Sequence, residues 1–288
     1  MNIGKMPRDI DTEKVQLVFG NKEQIDFDKL EKKIKENSKV NLDKILREKK
    51  ALFLAYDQGL EHGPLSDFND KNVDPLFIID IAKNGKFTGV VFQKGIAEKY
   101  KNEINKSKVP LIVKLNGKTN LVGGDPISRQ LCTVDEAVRL GCSGVGYTIY
   151  IGSQHESVMM QEFEKIQREA HSKGLPAILW VYPRGKAVKN DTSKEMMSYA
   201  ARVGLELGAD IVKLKYGGRV KDLKWAIKSA GRTKVVIAGG IKKTEKEFIK
   251  QVKEIINAGC TGLAIGRNIW QAKNPLEIAE KVRKEVWG

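Results

Sequence analysis

The chain has 288 residues, 41% hydrophobic and 30% charged, with 51 basic against 36 acidic side chains and a formal net charge of +15. That is the composition of a globular protein; no segment reaches the roughly 18 apolar residues a bilayer span needs, and the polar start MNIGKMPRDIDTEK offers no signal peptide. Three cysteines without a C-x-x-C pair exclude a disulfide scaffold and a zinc ribbon, and they point to a reducing cytoplasm.

Residues 1–49 are polar and stand apart from the rest of the chain as an N-terminal helical extension. Within them EQIDFDKLEKKIKEN is predicted helical, and NLDKILREKK is a second helix expected to plug the floor of the domain behind it. From residue 50 short apolar runs alternate with longer amphipathic stretches. The runs are ALFLAYD (51–57), FTGVVFQ (87–93), VPLIVKLN (109–116), CSGVGYTIY (142–150), LPAILWVY (175–182), ADIVKLKY (209–216), KVVIAGG (234–240) and TGLAIG (261–266). Each has the length and β-branched or aromatic content of a strand buried on both faces. SVMMQEFEKIQREAHSKG, SKEMMSYAARVGLELG and EKEFIKQVKEIINAG are the clearest helices, with apolar residues every three or four positions and a closing glycine. Thr133 and Thr244, each followed by carboxylates, are expected to cap helices.

Eight strands separated by helices predict an α/β fold, a (β/α)8 TIM barrel over residues 50–288. A doubly wound sheet is the alternative, but YDQGLEHG lacks the G-x-G-x-x-G turn such a sheet wants after its first strand.

A barrel carries its site at the C-terminal ends of its strands. There the sequence places Asp57, Gln93, Lys114, Asn116, Tyr147, Trp180, Tyr182, Arg184, Lys213, Lys215, Gly239, Gly240, Gly266 and Arg267. In IVKLK the period of two puts Val212 and Leu214 against the helices and turns Lys213 and Lys215 inward. Burial and a second ammonium two residues away both lower a lysine's pKa, and a neutral amine can form a Schiff base with a ketone. Spacing alone leaves a second reading equally open, in which Lys213 is paired structurally with Asp57. Tyr182 shares a face with Trp180 and can relay protons or simply sit at the rim. Arg184 beyond it can hold a phosphate or be solvated. Gly239, Gly240, Gly266 and Arg267 end strands seven and eight, where barrels commonly bind phosphate. His62 is a hydrogen-bonding candidate for the rim; no H-x-H or H-E-x-x-H suggests a metal site.

The positive charge is uneven. Residues 186–234 hold 12 basic against 5 acidic side chains, and residues 1–50 hold 13 against 10. With no basic tail and no aromatic–basic interleaving, this suits a small polyanionic substrate rather than nucleic acid or a membrane.

YDQGLEHGP, VKLNGKT, GVGYTIYIGS, WVYPRG, DIVKLKYGG, VIAGG and GLAIGRNIWQ succeed one another through the barrel in an order that resembles the archaeal-type class I fructose-1,6-bisphosphate aldolases. That group also contains the 2-amino-3,7-dideoxy-D-threo-hept-6-ulosonate synthases, whose reaction is the alternative, and the autoinducer-2 thiolases. The resemblance covers residues 51–288 and implies a cytoplasmic, cofactor-free and metal-free aldol cleavage of a sugar bisphosphate into two triose phosphates. It implies Lys213 as the Schiff-base lysine, Tyr182 as acid/base and Asp57 as a helper in carbinolamine turnover. Trp180 would line the pocket, Gly239, Gly240, Gly266 and Arg267 would hold the ketone-side phosphate, and Arg184 the other. Lys215 and His62 complete the expected substrate-binding set. Ala238 departs from the serine that aldolases of the group often carry before Gly-Gly. The resemblance further implies a homo-oligomer, a pentamer or decamer.

Overall fold

Eight parallel strands close on themselves: Ala51–Ala55 (β1), Gly89–Gln93 (β2), Leu111–Lys114 (β3), Gly144–Ile151 (β4), Ala177–Pro183 (β5), Ile211–Leu214 (β6), Lys234–Ala238 (β7) and Gly262–Ile265 (β8). They pair in sequence order, and β8 returns to β1. The computed structural model describes residues 40–64 and 67–288. Residues Ser38–Gly288 form one compact unit, and the predicted (β/α)8 barrel is what they build. Each strand is followed by a helix, among them Glu156–Ser172, Lys194–Glu206 and Glu245–Asn257, where the apolar periodicity is strongest. Thr133 and Thr244 cap Val134–Arg139 and Glu245–Asn257 through reciprocal capping boxes with Glu136 and Glu247. Such caps contribute about 1 kcal/mol each.

Alternation along the strands sorts the core into two shells. On β6, Val212 and Leu214 join the shell between strands and helices, and Ile211 joins the barrel interior. Phe53, Val91, Ile112, Ile178, Val236 and Ala264 fill that interior. Its floor is closed by Ile45, which is fully buried and flanked by Leu42 and Leu46. The segment before β1 is not the helix expected over NLDKILREKK. Only Leu42–Lys44 turns, as a 3-10 helix, and Arg47 then bridges Lys50. Glu48 and Lys49 take positive φ (50° and 63°), which no α-helix tolerates, because the chain must reverse to enter β1 once Ile45 is seated. The helix expected over EQIDFDKLEKKIKEN lies outside the described residues.

Candidate active site

The C-terminal strand ends open onto a cavity of about 410 Å³. The eleven residues expected to act in catalysis or substrate binding line it: Asp57 and His62 from the β1 end; Trp180, Tyr182 and Arg184 from β5; Lys213 and Lys215 from β6; Gly239 and Gly240 after β7; Gly266 and Arg267 after β8. Tyr147, also expected at a strand end, does not: it faces the shell between strands and helices, where its hydroxyl donates to Glu162 Oε2.

Lys213 stands directly beside Trp180 in the β5–β6 register. It is 5% exposed, with its Nζ 5.2 Å from the centroid of the indole. Burial pushes its amine down to about 8. Asp57 opposes that shift, the Lys114 ammonium adds to it, and Glu61 opposes it more weakly. The neighbouring cation is therefore Lys114, not Lys215 as the strand spacing suggested. Lys215 lies one residue beyond β6, where its ammonium is ion-paired to Asp191 beside the Tyr182 ring, 5.7 Å from Nζ to centroid. Asp57 likewise is not the ion-pair partner of Lys213. Its carboxylate sits 3.5 Å from the Nζ of Lys114, at the end of β3, and both side chains are buried.

Tyr182 is half-buried beside Lys215. Desolvation, then the Asp57 and Glu61 carboxylates, push its phenol well above 10, so it stands protonated at neutral pH. Arg184 donates from Nη1 to Glu61 Oε1 at 2.7 Å, and its guanidinium lies 5.2 Å from the centre of the Tyr150 ring.

After β7, Gly240 is left-handed (φ 75°), a conformation in which a side chain is strained. Asn268 lies beneath this turn, 3% exposed, and donates to the carbonyls of Gly239 (3.1 Å) and Ile241 (2.9 Å) while accepting from the amide of Lys243. Arg267 reaches the Gly240 carbonyl and pairs with Asp67 at 3.3 Å. The other oxygen of Asp67 holds His62 Nδ1 at 2.6 Å. His62 thus serves the rim through a buried carboxylate. Glu61, Asp67, Asp191 and Asn268 are the polar partners that sequence reasoning missed. Their signal is a contact across 24–200 residues of chain, which no local pattern carries.

Among the described residues, no three His, Cys, Asp or Glu side chains cluster as metal ligands. What the cavity offers is a buried amine of lowered basicity, a protonated phenol, the carboxylates of Asp57, Glu61 and Asp191, and the two arginines Arg184 and Arg267.

Comparison with known proteins agrees with this geometry. The family model for DeoC/LacD family aldolases matches residues 51–272. The chain is 49% identical over 245 residues to the class 1 fructose-bisphosphate aldolase of Thermoproteus tenax, covering 84% of this chain and 91% of that protein. It is 39% identical over 251 residues to the fructose-bisphosphate aldolase/6-deoxy-5-ketofructose 1-phosphate synthase of Methanocaldococcus jannaschii, covering 82% and 80%. Among solved structures it superposes with a TM-score of 0.81, at 48% identity, on an archaeal fructose-1,6-bisphosphate aldolase whose catalytic lysine is covalently bound to the carbinolamine intermediate of its substrate. That match covers 85% of this chain and 97% of the other. The chain belongs to the DeoC/LacD aldolase family, in its archaeal-type class I fructose-bisphosphate aldolase group.

Proposed function

We propose that the protein cleaves fructose 1,6-bisphosphate reversibly to dihydroxyacetone phosphate and glyceraldehyde 3-phosphate through a Schiff base on Lys213. The observation that carries this reading is the Lys213 amine itself, buried at a strand end and lowered to about 8 inside a cavity that two guanidiniums, Arg184 and Arg267, also line. A neutral fraction of amine is present at physiological pH, as attack on a ketone requires.

In this mechanism Lys213 adds to the C2 carbonyl, giving a carbinolamine. The phenol of Tyr182 enters the cycle protonated, so it gives a proton before it takes one. The departing carbinolamine hydroxyl receives it and leaves as water, with Asp57 assisting. The iminium then draws the C3–C4 electron pair onto C3 as the phenolate removes the C4 hydroxyl proton, and glyceraldehyde 3-phosphate departs. Tyr182 returns that proton to C3 of the enamine; the water that then adds to the remaining iminium gives its proton to the phenolate, and collapse of this second carbinolamine frees dihydroxyacetone phosphate and the Lys213 amine. Arg267 with the Gly239–Gly240 turn and Gly266 would hold the ketone-side phosphate, His62 steadying Arg267 through Asp67. Arg184 would hold the other phosphate, with Lys215 nearby; Trp180 fixes the amine. The chemistry assigns no step to a metal or cofactor. We place the protein in the cytoplasm, in keeping with three unpaired cysteines, and as a homo-oligomer on the family resemblance.

The test is trapping. Borohydride with dihydroxyacetone phosphate should reduce an adduct onto Lys213, found by peptide mass spectrometry. An adduct on Lys215 in its place would sink the assignment.

A further inference from the structure

The mechanism leaves one buried charge without a task. Lys114 ends β3 on the barrel's inner face, with its side chain only 7% exposed. An ammonium in that position is penalised unless it is paired, and Asp57 is its partner. The Nζ of Lys114 lies 5.3 Å from the centroid of the Trp180 indole, the same ring that the Nζ of Lys213 approaches at 5.2 Å. Two lysines from β3 and β6 thus share one aromatic ring and one nearby carboxylate, Asp57. That carboxylate is ion-paired to Lys114, and it makes no such pair with Lys213 among the described residues.

We propose that Lys114 is a positioning residue of this active site: it occupies Asp57 and stands as a fixed cation across Trp180, so that Lys213, without a carboxylate partner of its own, is the amine free to act as nucleophile. The inference rests on reading Lys213 as the nucleophile. One carboxylate can neutralise only one of two buried ammoniums, and the other is the group that sheds its proton most easily. His62, Lys118, Tyr150, Asp191, Lys243 and Arg267 line the same cavity, but the charges that act on Lys213 are Asp57, Lys114 and Glu61. Asp57 and Glu61, from β1 and the helix after it, act in the opposite sense. Arg184 is held by Glu61 and Lys215 by Asp191. Tyr182 is protonated and neutral. Among the described residues, Lys114 is therefore the cation placed to act on Lys213.

Competitive acetylation of the full-length protein with acetic anhydride across pH, read lysine by lysine by mass spectrometry, tests this without any substrate. In the unaltered protein Lys213 should become reactive with a midpoint near 8, and Lys114 should lag behind it throughout. In Lys114→Met the midpoint of Lys213 should rise by about one unit or more, making that amine about tenfold less reactive at neutral pH. Lys114→Arg keeps the charge and should restore the low midpoint. An unmoved midpoint in Lys114→Met overturns the proposal. So does acetylation of Lys114 as readily as Lys213 in the unaltered protein, a comparison that needs no variant to fold. Borohydride trapping on the same samples reports separately: a shifted midpoint without trapping supports the role of Lys114 and counts against the aldolase reading alone.

Discussion

The indole of Trp180 occupies the space that a side chain at Gly146 would fill. A Cβ built on Gly146 would stand 2.2 Å from indole Cζ3 and 2.3 Å from Cη2. Gly146 pairs with Lys114 on one side and Ile178 on the other, so the bare strand position lets the ring lie across β4 toward both lysines.

Gly146→Ala should therefore act on stability and chemistry together. Overpacking a rigid core costs about 1–3 kcal/mol, and a chain of this size loses roughly 1.5–2 °C in Tm per kcal/mol. The ring must also leave its place between Lys114 and Lys213, so turnover should fall. A melting curve within a degree of the parent's, with full activity, would show that the indole finds another seat.

The two arginines should separate by substrate. If Arg184 holds the phosphate of the aldehyde half, Arg184→Met should raise KM for fructose 1,6-bisphosphate by about 10–150-fold, the equivalent of the ~1.5–3 kcal/mol in a charged hydrogen bond. It should leave trapping with dihydroxyacetone phosphate, which has one phosphate, nearly unchanged. Arg267→Met should weaken both. Equal effects of Arg184→Met on the two substrates would take Arg184 out of the second phosphate site.

The barrel was readable because its strands are buried on both faces and punctuated by glycine, so each of the eight apolar runs stands out locally. The inward turn of Lys213 was equally local, a consequence of Val212 and Leu214 belonging against the helices. What the sequence could not carry is pairing at a distance. Asp57 was open to Lys213, yet geometry gives it to Lys114, 57 residues away. Arg184 is tied to Glu61 across 123 residues and Arg267 to Asp67 across 200. The stretch NLDKILREKK has the composition of a helix, but a single buried side chain, Ile45, and the turn into β1 override that propensity.

Lys213→Met should abolish activity and stabilise the fold. The folded amine titrates near 8 against 10.5 for the free group. Its charged form is thus disfavoured by folding, by up to about 3 kcal/mol at about 1.4 kcal/mol per unit. This penalty is fully present below pH 8 and fades as pH rises toward 10.5, because over that window the unfolded chain binds the extra proton. The Tm advantage of Lys213→Met should be largest at pH 6–7 and shrink above pH 9. A gain independent of pH would point to packing alone.

Tyr182→Phe asks which steps need the phenol. Attack by Lys213 needs only the amine and the carbonyl, whereas loss of water, C3–C4 cleavage and protonation of the enamine each move a proton that Tyr182 is placed to carry. Turnover of fructose 1,6-bisphosphate should fall by about 10²–10⁴-fold, the usual contribution of a positioned acid/base. Trapping integrates over minutes and needs a single iminium per site, so borohydride should still label Lys213 with dihydroxyacetone phosphate. The aromatic ring remains, and with it the contact to Lys215, so stability should change little. The phenol's proton lies well above the neutral range; the parent's pH profile near 8 should therefore report Lys213, and the phenylalanine variant should keep that limb at lower amplitude. If Tyr182→Phe retains more than about half of the parent's activity, the tyrosine is a rim aromatic and another group moves the proton.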